Sequence, residues 1–135
     1  MQVFTIFEEI DGDLAREISR ISTVKSFAAG EVIFEKDRGA DCLYLLESGQ
    51  VDLLMSPAED ARFKVNRTGD VFGWSALVEN GVYTVTATCE TDARVHCIPK
   101  DQMDAILNKN VGAAVELFRK IGDKFPKQIA GRVES

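Results

Sequence analysis

The chain has 135 residues, of which 45% are hydrophobic and 28% are charged. This length and composition fit one domain with a single apolar core and argue against a two-domain enzyme. The formal net charge is -6, whereas proteins that bind nucleic acid through phosphate contacts carry a basic face. The first 99 residues hold nine Lys or Arg against seventeen Asp or Glu, so the acidity lies there and a direct DNA partner is not expected.

The cysteines and the N-terminus indicate the compartment. The chain has three cysteines, an odd number, and they include no C-x-x-C pair. This is typical of a reducing environment. The three are Cys42, Cys89 and Cys97. The N-terminus turns acidic at Glu8 and Glu9, where a signal peptide would have a basic start and a longer apolar stretch. No later stretch is long enough to span a bilayer. We therefore expect a cytoplasmic, soluble protein with no membrane partner.

The first 22 residues carry apolar side chains at helical spacing. These are Ile6, Ile10, Leu14, Ile18 and Ile21. Gly12 interrupts the run, so the pattern predicts two short helices rather than one. Asp11 or Asp13 is suited to cap the second helix, because Asp side chains accept hydrogen bonds from the free backbone N–H groups of a first turn.

From Thr23 onward, short β-branched and aromatic runs alternate with turn residues at close intervals, which is typical of an all-β sandwich or roll. The predicted strands are Val24 to Ala28, Glu31 to Glu35, Cys42 to Glu47, Val51 to Ser56, Ala61 to Arg67, Val71 to Trp74, Thr84 to Cys89 and Arg94 to Ile98. The sequence therefore predicts a mainly β domain with eight strands.

Two helices are predicted after Pro99. Met103, Ile106 and Leu107 share one face of the first. In the second, apolar residues and one glycine follow the seam spacing of helices that pack along one another. They are Val111, Val115, Phe118, Gly122, Phe125 and Ile129. The same spacing fits a stripe that lies on the protein's own β-roll, and periodicity does not decide between the two. Pro126 predicts a kink or an end between Gly122 and Phe125.

No catalytic or metal centre is expected. The chain contains one histidine, His96, so the three-histidine site of a cupin-type enzyme cannot be built. His96 and Cys97 are adjacent on a predicted strand and point to opposite faces, and there are too few cysteine ligands for closed zinc coordination. No G-x-S-x-G elbow is present. We predict buried structural cysteines, no cofactor and no enzymatic activity.

The segment from Gly69 to Val78 has the one pattern that suggests a ligand. A glycine that leaves a strand and opens a short helix presents backbone N–H groups to an anion. An ordinary strand-to-helix turn has the same pattern, and the segment taken alone favours that interpretation.

Motifs spread along the chain carry a family resemblance. They are Phe27-x-x-Gly30-Glu31-Val32-Ile33-Phe34, Asp41-x-Leu43-Tyr44-x-Leu46-x-Ser48-Gly49-x-Val51, Gly69-Asp70-x-Phe72-Gly73, Thr84-x-Thr86-Ala87 and Val95-x-x-Ile98-Pro99. In these motifs the chain resembles the cyclic nucleotide-binding domain of the catabolite activator protein and FNR superfamily. The resemblance implies a jelly-roll-type β-roll of eight strands over residues 23–99, N-terminal helices over 1–22 and two C-terminal helices over 100–135. It also implies that the last helix covers the ligand and often pairs in a dimer.

The chain departs from the family at two charged positions of the phosphate-binding cassette. The family pattern is F-G-E followed by P-R-[ST]-A, in which the glutamate binds the ribose 2′-hydroxyl and the arginine pairs with the cyclic phosphate. Here Trp74 stands at the glutamate position and Tyr83 at the arginine position. Two lost hydrogen bonds of roughly 1.5 to 3 kcal/mol each would weaken a nucleotide by about 10² to 10⁴-fold. We therefore predict that cyclic AMP and cyclic GMP do not bind tightly.

Three alternatives stay open for the pocket. Trp74 could stack on a nucleotide-like or less charged ligand while Tyr83 donates a hydrogen bond. The two aromatic side chains could instead fill the pocket of a structural or protein-interaction module, or the chain could be an ordinary cyclic nucleotide-binding signalling subunit. The predicted ligand-binding residues are Phe72, Gly73, Trp74, Ser75, Ala76, Leu77, Tyr83 and Thr84.

The last helix and the chain end suggest how such a module would act. The predicted dimer interface is formed by Val111, Val115, Phe118, Gly122 and Phe125. Transcription factors of the superfamily continue into a winged helix-turn-helix, and this sequence stops at Ser135, so we expect no DNA-reading helix. The sequence predicts a non-enzymatic regulatory or sensory module that forms a homodimer and acts on a protein partner whose identity is unknown.

Overall fold

A computed structural model describes residues 3–56, 61–78 and 80–121 of the chain. The N-terminal piece consists of α1 (Thr5–Glu8) and α2 (Gly12–Ile21). Asp11 caps α2, because its side chain accepts a hydrogen bond of 2.9 Å from the backbone N–H of Asp13. The predicted division into two short helices is confirmed, and the break falls just before Gly12.

Eight strands form two four-stranded antiparallel sheets. The strands are β1 (Thr23–Phe27), β2 (Val32–Phe34), β3 (Cys42–Ser48), β4 (Val51–Ser56), β5 (Ala61–Val65), β6 (Val71–Phe72), β7 (Thr86–Cys89) and β8 (Ala93–Pro99). The first sheet has the order β1-β8-β3-β6 and the second has the order β2-β7-β4-β5. All eight strands occur in the predicted order, which confirms the mainly β architecture.

Two strands are shorter at the ends nearest the candidate site than the sequence predicts. Strand β6 ends at Phe72 rather than at Trp74, because Gly73 takes a left-handed backbone conformation with φ of 79° and residues Trp74–Leu77 form a short 3-10 helix. Strand β7 begins at Thr86 rather than at Thr84. Thr84 therefore lies in the loop before that strand, and the prediction that Trp74 and Thr84 are strand residues is wrong.

The core lies between the two sheets and extends under the helices. Side chains from both faces of β3 are buried, including Leu43, Tyr44, Leu45 and Leu46. This strand lies inside the first sheet between β8 and β6, and α2 and α3 (Lys100–Lys109) pack against β8. A run of consecutive apolar residues is what a strand covered on both faces requires.

The C-terminal part contains α3 and a last helix that includes residues 111–121. The predicted inner face of α3 is confirmed, since Met103, Ile106 and Leu107 are buried. In the last helix, Leu117 and Ile121 are buried against the core.

The apolar stripe of the last helix does not lie on the β-roll over the residues described. Val111, Val115 and Phe118 are 66%, 50% and 49% exposed. Gly122, Phe125, Ile129 and the kink expected before Pro126 lie outside the described residues. Over residues 3–56, 61–78 and 80–121, no helix has the length and apolarity that crossing a membrane requires.

Candidate ligand-binding cassette

The backbone from β6 into the short 3-10 helix passes tightly over β3. A Cβ atom added at Gly73 would lie 3.1 Å from Cδ2 of Tyr44 and 3.2 Å from the carbonyl oxygen of Cys42. The φ of Gly73 is 79°, which lies in the left-handed region. Glycine adopts this conformation without the strain that a side chain adds. Close approach and backbone conformation together explain why glycine opens this segment.

Tyr83 is fixed at its hydroxyl, its ring and its backbone. The hydroxyl donates a hydrogen bond of 2.7 Å to the carbonyl oxygen of Cys42 and accepts one of 3.2 Å from the N–H of the same residue. The ring stacks on Phe34 with 3.8 Å between centroids. The backbone N–H of Tyr83 donates to the carbonyl of Arg38, and its carbonyl accepts from the N–H of Asp37. Burial raises the pKa of the Tyr83 phenol, so it remains a neutral donor.

Four aromatic side chains fill the roll beneath Gly73. They are Phe34, Tyr44, Phe72 and Tyr83. All four are buried, and Tyr44 stacks on Phe72 with 5.3 Å between centroids. Stacked rings in this range of separation add attraction beyond the burial of their area. This part of the interior is therefore packed with protein side chains.

Lys100 holds the end of the 3-10 helix. Its ammonium donates hydrogen bonds of 2.8 Å to the carbonyl oxygens of Ala76 and Val78, and it pairs with Asp104 at 3.6 Å. A positive charge at the carbonyl end of a helical turn is the favourable arrangement. No sequence motif identifies Lys100, because a basic residue directly after a strand does not show which carbonyl groups it reaches.

The predicted ligand-binding residues differ in exposure. Phe72, Gly73, Ala76 and Tyr83 are buried, Trp74, Ser75 and Leu77 are half-buried, and Thr84 is exposed. The fold brings Gly73 and Tyr83 together, since the Cβ position of Gly73 lies 3.4 Å from Cε1 of Tyr83. Thr84 follows Tyr83 in the chain but faces solvent.

Tyr44 and Tyr83 line a cleft of about 440 Å³. Its charged lining residues are Lys25, Glu35, Arg38 and Asp41. Two positive and two negative side chains give the cleft no formal excess of positive charge. The cleft therefore lacks the cationic character of a phosphate-binding site.

His96 lies in a largely buried network of polar side chains. Its Nε2 atom lies 2.7 Å from a carboxylate oxygen of Glu47, which also pairs with Arg94 at 3.0 Å. Cys97 lies on the opposite face of β8 and is buried. In the part of the chain that the structure describes, no three His, Cys, Asp or Glu side chains are grouped so that they could hold a metal ion.

Comparison with known proteins agrees with this architecture. The family model for the cyclic nucleotide-binding domain matches residues 24–110. The chain belongs to the cyclic nucleotide-binding domain family. Among solved structures, a putative cyclic nucleotide-binding protein from Geobacter metallireducens is 27% identical with a TM-score of 0.81, and the match covers 95% of this chain and 94% of that one.

Two further relatives extend the comparison. The catabolite activator protein of Thermus thermophilus has the same fold, with a TM-score of 0.74 and 17% identity over 90% of this chain and 58% of that one. A cAMP-dependent protein kinase regulatory subunit from Emericella nidulans is 30% identical over 93 residues, which are 69% of this chain and 22% of the relative. The chain thus spans about a fifth of the length of this curated relative.

Replacing Lys100 tests its role in the cassette. Lys100→Met removes the charged donor from two carbonyl groups, which we expect to lower the free energy of unfolding by about 1 to 3 kcal/mol. Trp74 is the sole tryptophan and begins the 3-10 helix, so its emission should shift to longer wavelength. Lys109→Met, at the exposed end of α3, is the matched control. Equal stability and emission in the two variants would contradict the proposed role of Lys100.

Proposed function

We propose that this domain is a cytoplasmic, non-enzymatic regulatory module whose cassette does not hold cyclic AMP or cyclic GMP tightly. The observation that carries the proposal is the placement of Tyr83. Its hydroxyl is bonded to the backbone of Cys42 and its ring is stacked on Phe34. A neutral phenol fixed in this way brings no positive charge to a cyclic phosphate.

The charges around the cassette support the same proposal. Lys100 is the cation seen to bond to the cassette among the described residues, and its ammonium is directed at two carbonyl oxygens and at Asp104. A phosphate diester would have to compete with these partners. Trp74 at the glutamate position supplies no carboxylate for a ribose hydroxyl. Neither Trp74 nor Tyr83 therefore supplies the charged contact that the family's glutamate or arginine makes.

The half-buried indole of Trp74 supports a ligand of lower charge. Stacking of a flat ring on an aromatic side chain contributes roughly 1 to 3 kcal/mol and does not need a counter-ion. We propose that such a ligand would contact the eight residues predicted from the sequence. They are Phe72, Gly73, Trp74, Ser75, Ala76, Leu77, Tyr83 and Thr84.

A second candidate function is a protein-interaction module without a small ligand. The observation in its favour is the packing of Phe34, Tyr44, Phe72 and Tyr83, which fills the interior beneath Gly73. In this alternative the cassette serves as a structural element, and partner proteins recognise the outer surface of the roll and helices.

A groove between the cassette and the helices suggests how either kind of module would signal. Leu77 of the cassette, Leu107 of α3 and Val111 and Phe118 of the last helix line one groove of about 240 Å³. A change in the position of Leu77 would alter the packing of the last helix. We propose that the cassette acts on a partner by moving this helix.

We propose that the exposed stripe of the last helix pairs with a second copy of the chain. Val111, Val115 and Phe118 lie four and three residues apart, on one face of the helix. Apolar side chains at this spacing are those that a helix buries against another helix. The proposed interface continues through Gly122 and Phe125.

Fluorescence of Trp74 tests the proposal on nucleotide binding. Millimolar cyclic AMP or cyclic GMP should change the emission little, because the cassette offers no charged contact to the phosphate. Adenosine is the matched control, because it carries the same base and sugar without the phosphate diester. Saturable quenching by micromolar cyclic AMP that adenosine does not reproduce would contradict the proposal.

Light scattering tests the proposed dimer. Phe118→Glu places a carboxylate in the interface, where burying an unpaired charge is unfavourable, so the mass should fall from that of a dimer to that of a monomer. Val24→Glu changes a similarly exposed apolar residue on β1 and should leave the dimer intact. A monomeric unmodified protein, or an unchanged mass after Phe118→Glu, would show that this stripe is not the interface.

A further inference from the structure

Two of the three cysteines lie together on one face of the first sheet. The register of β3 with β8 pairs Cys42 with Pro99 and Tyr44 with Cys97, so Cys42 and Cys97 are diagonal neighbours whose side chains share a face. Each of the two thiols therefore affects the pKa of the other. Cys89 lies on β7 in the other sheet.

The surroundings make the two thiols unequal. The hydrogen bond from Cys42 lowers the pKa of Cys97 to about 7, and Lys25 and the Tyr44 hydroxyl act in the same direction against the effect of burial and of Asp41. The same hydrogen bond and burial raise the pKa of Cys42. Burial also raises the pKa of Cys89. The pKa of Cys97 is thus the one that its surroundings lower, and thiolate is the reactive form of cysteine.

The cleft lined by Tyr44 and Tyr83 lies next to residues that neighbour this pair. Tyr44, which lies directly opposite Cys97 in the register of β3 with β8, lines the cleft, and so does Asp41, the residue before Cys42. Cys97 itself is 3% exposed, so bulky reagents are excluded from it. An oxidant that reacts with Cys97 in the folded protein must therefore be small, as hydrogen peroxide is.

We propose that Cys97 and Cys42 form a peroxide-sensitive pair that closes to a disulfide. The sulfur of Cys97 attacks one peroxide oxygen, the O–O bond breaks, and the leaving hydroxide takes up a proton to give water. The sulfur of Cys42 then attacks the sulfenic acid of Cys97, the S–O bond breaks, and the hydroxide leaves as water with the proton of Cys42. Two thiols lose two electrons, and one hydrogen peroxide becomes two waters.

Closing this bond would act on the cassette. Diagonal neighbours lie about 7 to 8 Å apart, whereas the Cα atoms of most disulfides are roughly 4.4 to 6.8 Å apart. Cys42 is already paired with Pro99 of β8, so closing the bond must shift the start of β3 along β8 and disturb this register. The N–H and carbonyl of Cys42 are the groups bonded to Tyr83, and that carbonyl lies 3.2 Å from the Cβ position of Gly73. The inference goes beyond the proposed function and holds whether or not the cassette binds a ligand.

Mass spectrometry of the unmodified protein tests the proposal without any variant. The reduced protein is treated with a small excess of hydrogen peroxide, the remaining thiols are alkylated with iodoacetamide under denaturing conditions, and the peptides are mapped. The proposal predicts a loss of two hydrogens, a cross-linked peptide pair containing Cys42 and Cys97, and alkylation of Cys89 alone. A disulfide that includes Cys89, or three alkylated cysteines, would overturn it.

Serine variants assign the two roles, after circular dichroism has shown that each is folded. Cys89→Ser is the matched control and should form the disulfide at the unmodified rate. Cys42→Ser should stop at a sulfenic acid on Cys97, which dimedone traps when it is present as the oxidised protein is denatured. Cys97→Ser should consume peroxide at least about tenfold more slowly, because the reactive thiolate is gone. Unaltered peroxide consumption in Cys97→Ser would refute the assignment of Cys97.

Trp74 emission reports whether disulfide formation between Cys42 and Cys97 changes the cassette. Trp74 emission should change on oxidation of the unmodified protein and of Cys89→Ser, and it should return after reduction with dithiothreitol. It should stay constant in Cys42→Ser, which cannot form the bond. Disulfide formation with unchanged emission would overturn the link between the cysteine pair and the cassette.

Discussion

The two hydrogen bonds between the Tyr83 hydroxyl and the backbone of Cys42 hold the candidate site together. They tie the loop before β7 to the start of β3, which are 41 residues apart in the chain. Burial keeps the phenol neutral and therefore able to donate. The ring also stacks on Phe34 and lies against Gly73, so Tyr83 supports the start of the cassette. Leaving both backbone groups of Cys42 without partners would oppose any rotation of Tyr83 out of the core.

This constraint connects the fold to the proposed function. An arginine at position 83 would carry a charge that needs a partner, whereas tyrosine satisfies the backbone and completes an aromatic cluster. Lys100, the cation bonded to the cassette, stabilises carbonyl oxygens and so helps to hold the 3-10 helix in place. We propose that the hydrogen bonds of Tyr83 and Lys100 serve the backbone of this domain in place of the ligand contacts of the family pattern. The proposed disulfide between Cys42 and Cys97 would act on the same region, because Cys42 is the residue whose backbone bonds to the Tyr83 hydroxyl.

Most of the fold could be predicted from the sequence, because each strand is a short apolar run bounded by turn residues and the Asp11 cap lies next to its helix. The early end of β6 at Phe72 could not be predicted, because strand propensity does not show where a residue in the left-handed conformation ends strand pairing. Periodicity identified an apolar stripe in the last helix but missed Leu117 and Ile121, which face the core. The contact between Cys42 and Cys97 depends on the register of β3 with β8, strands that are distant in sequence, and no local pattern reveals it. The hydrogen bonds from Lys100 to the carbonyl groups of Ala76 and Val78 also join residues that are distant in sequence, so no local pattern predicts them.

The central claim is that a locked phenol and an indole leave the cassette without charged contacts for a cyclic nucleotide. Isothermal titration calorimetry of the reduced protein with cyclic AMP measures this most directly, because heat is recorded whether or not Trp74 responds. The account predicts no saturable heat at micromolar nucleotide. One-to-one binding with a micromolar or lower Kd would contradict it.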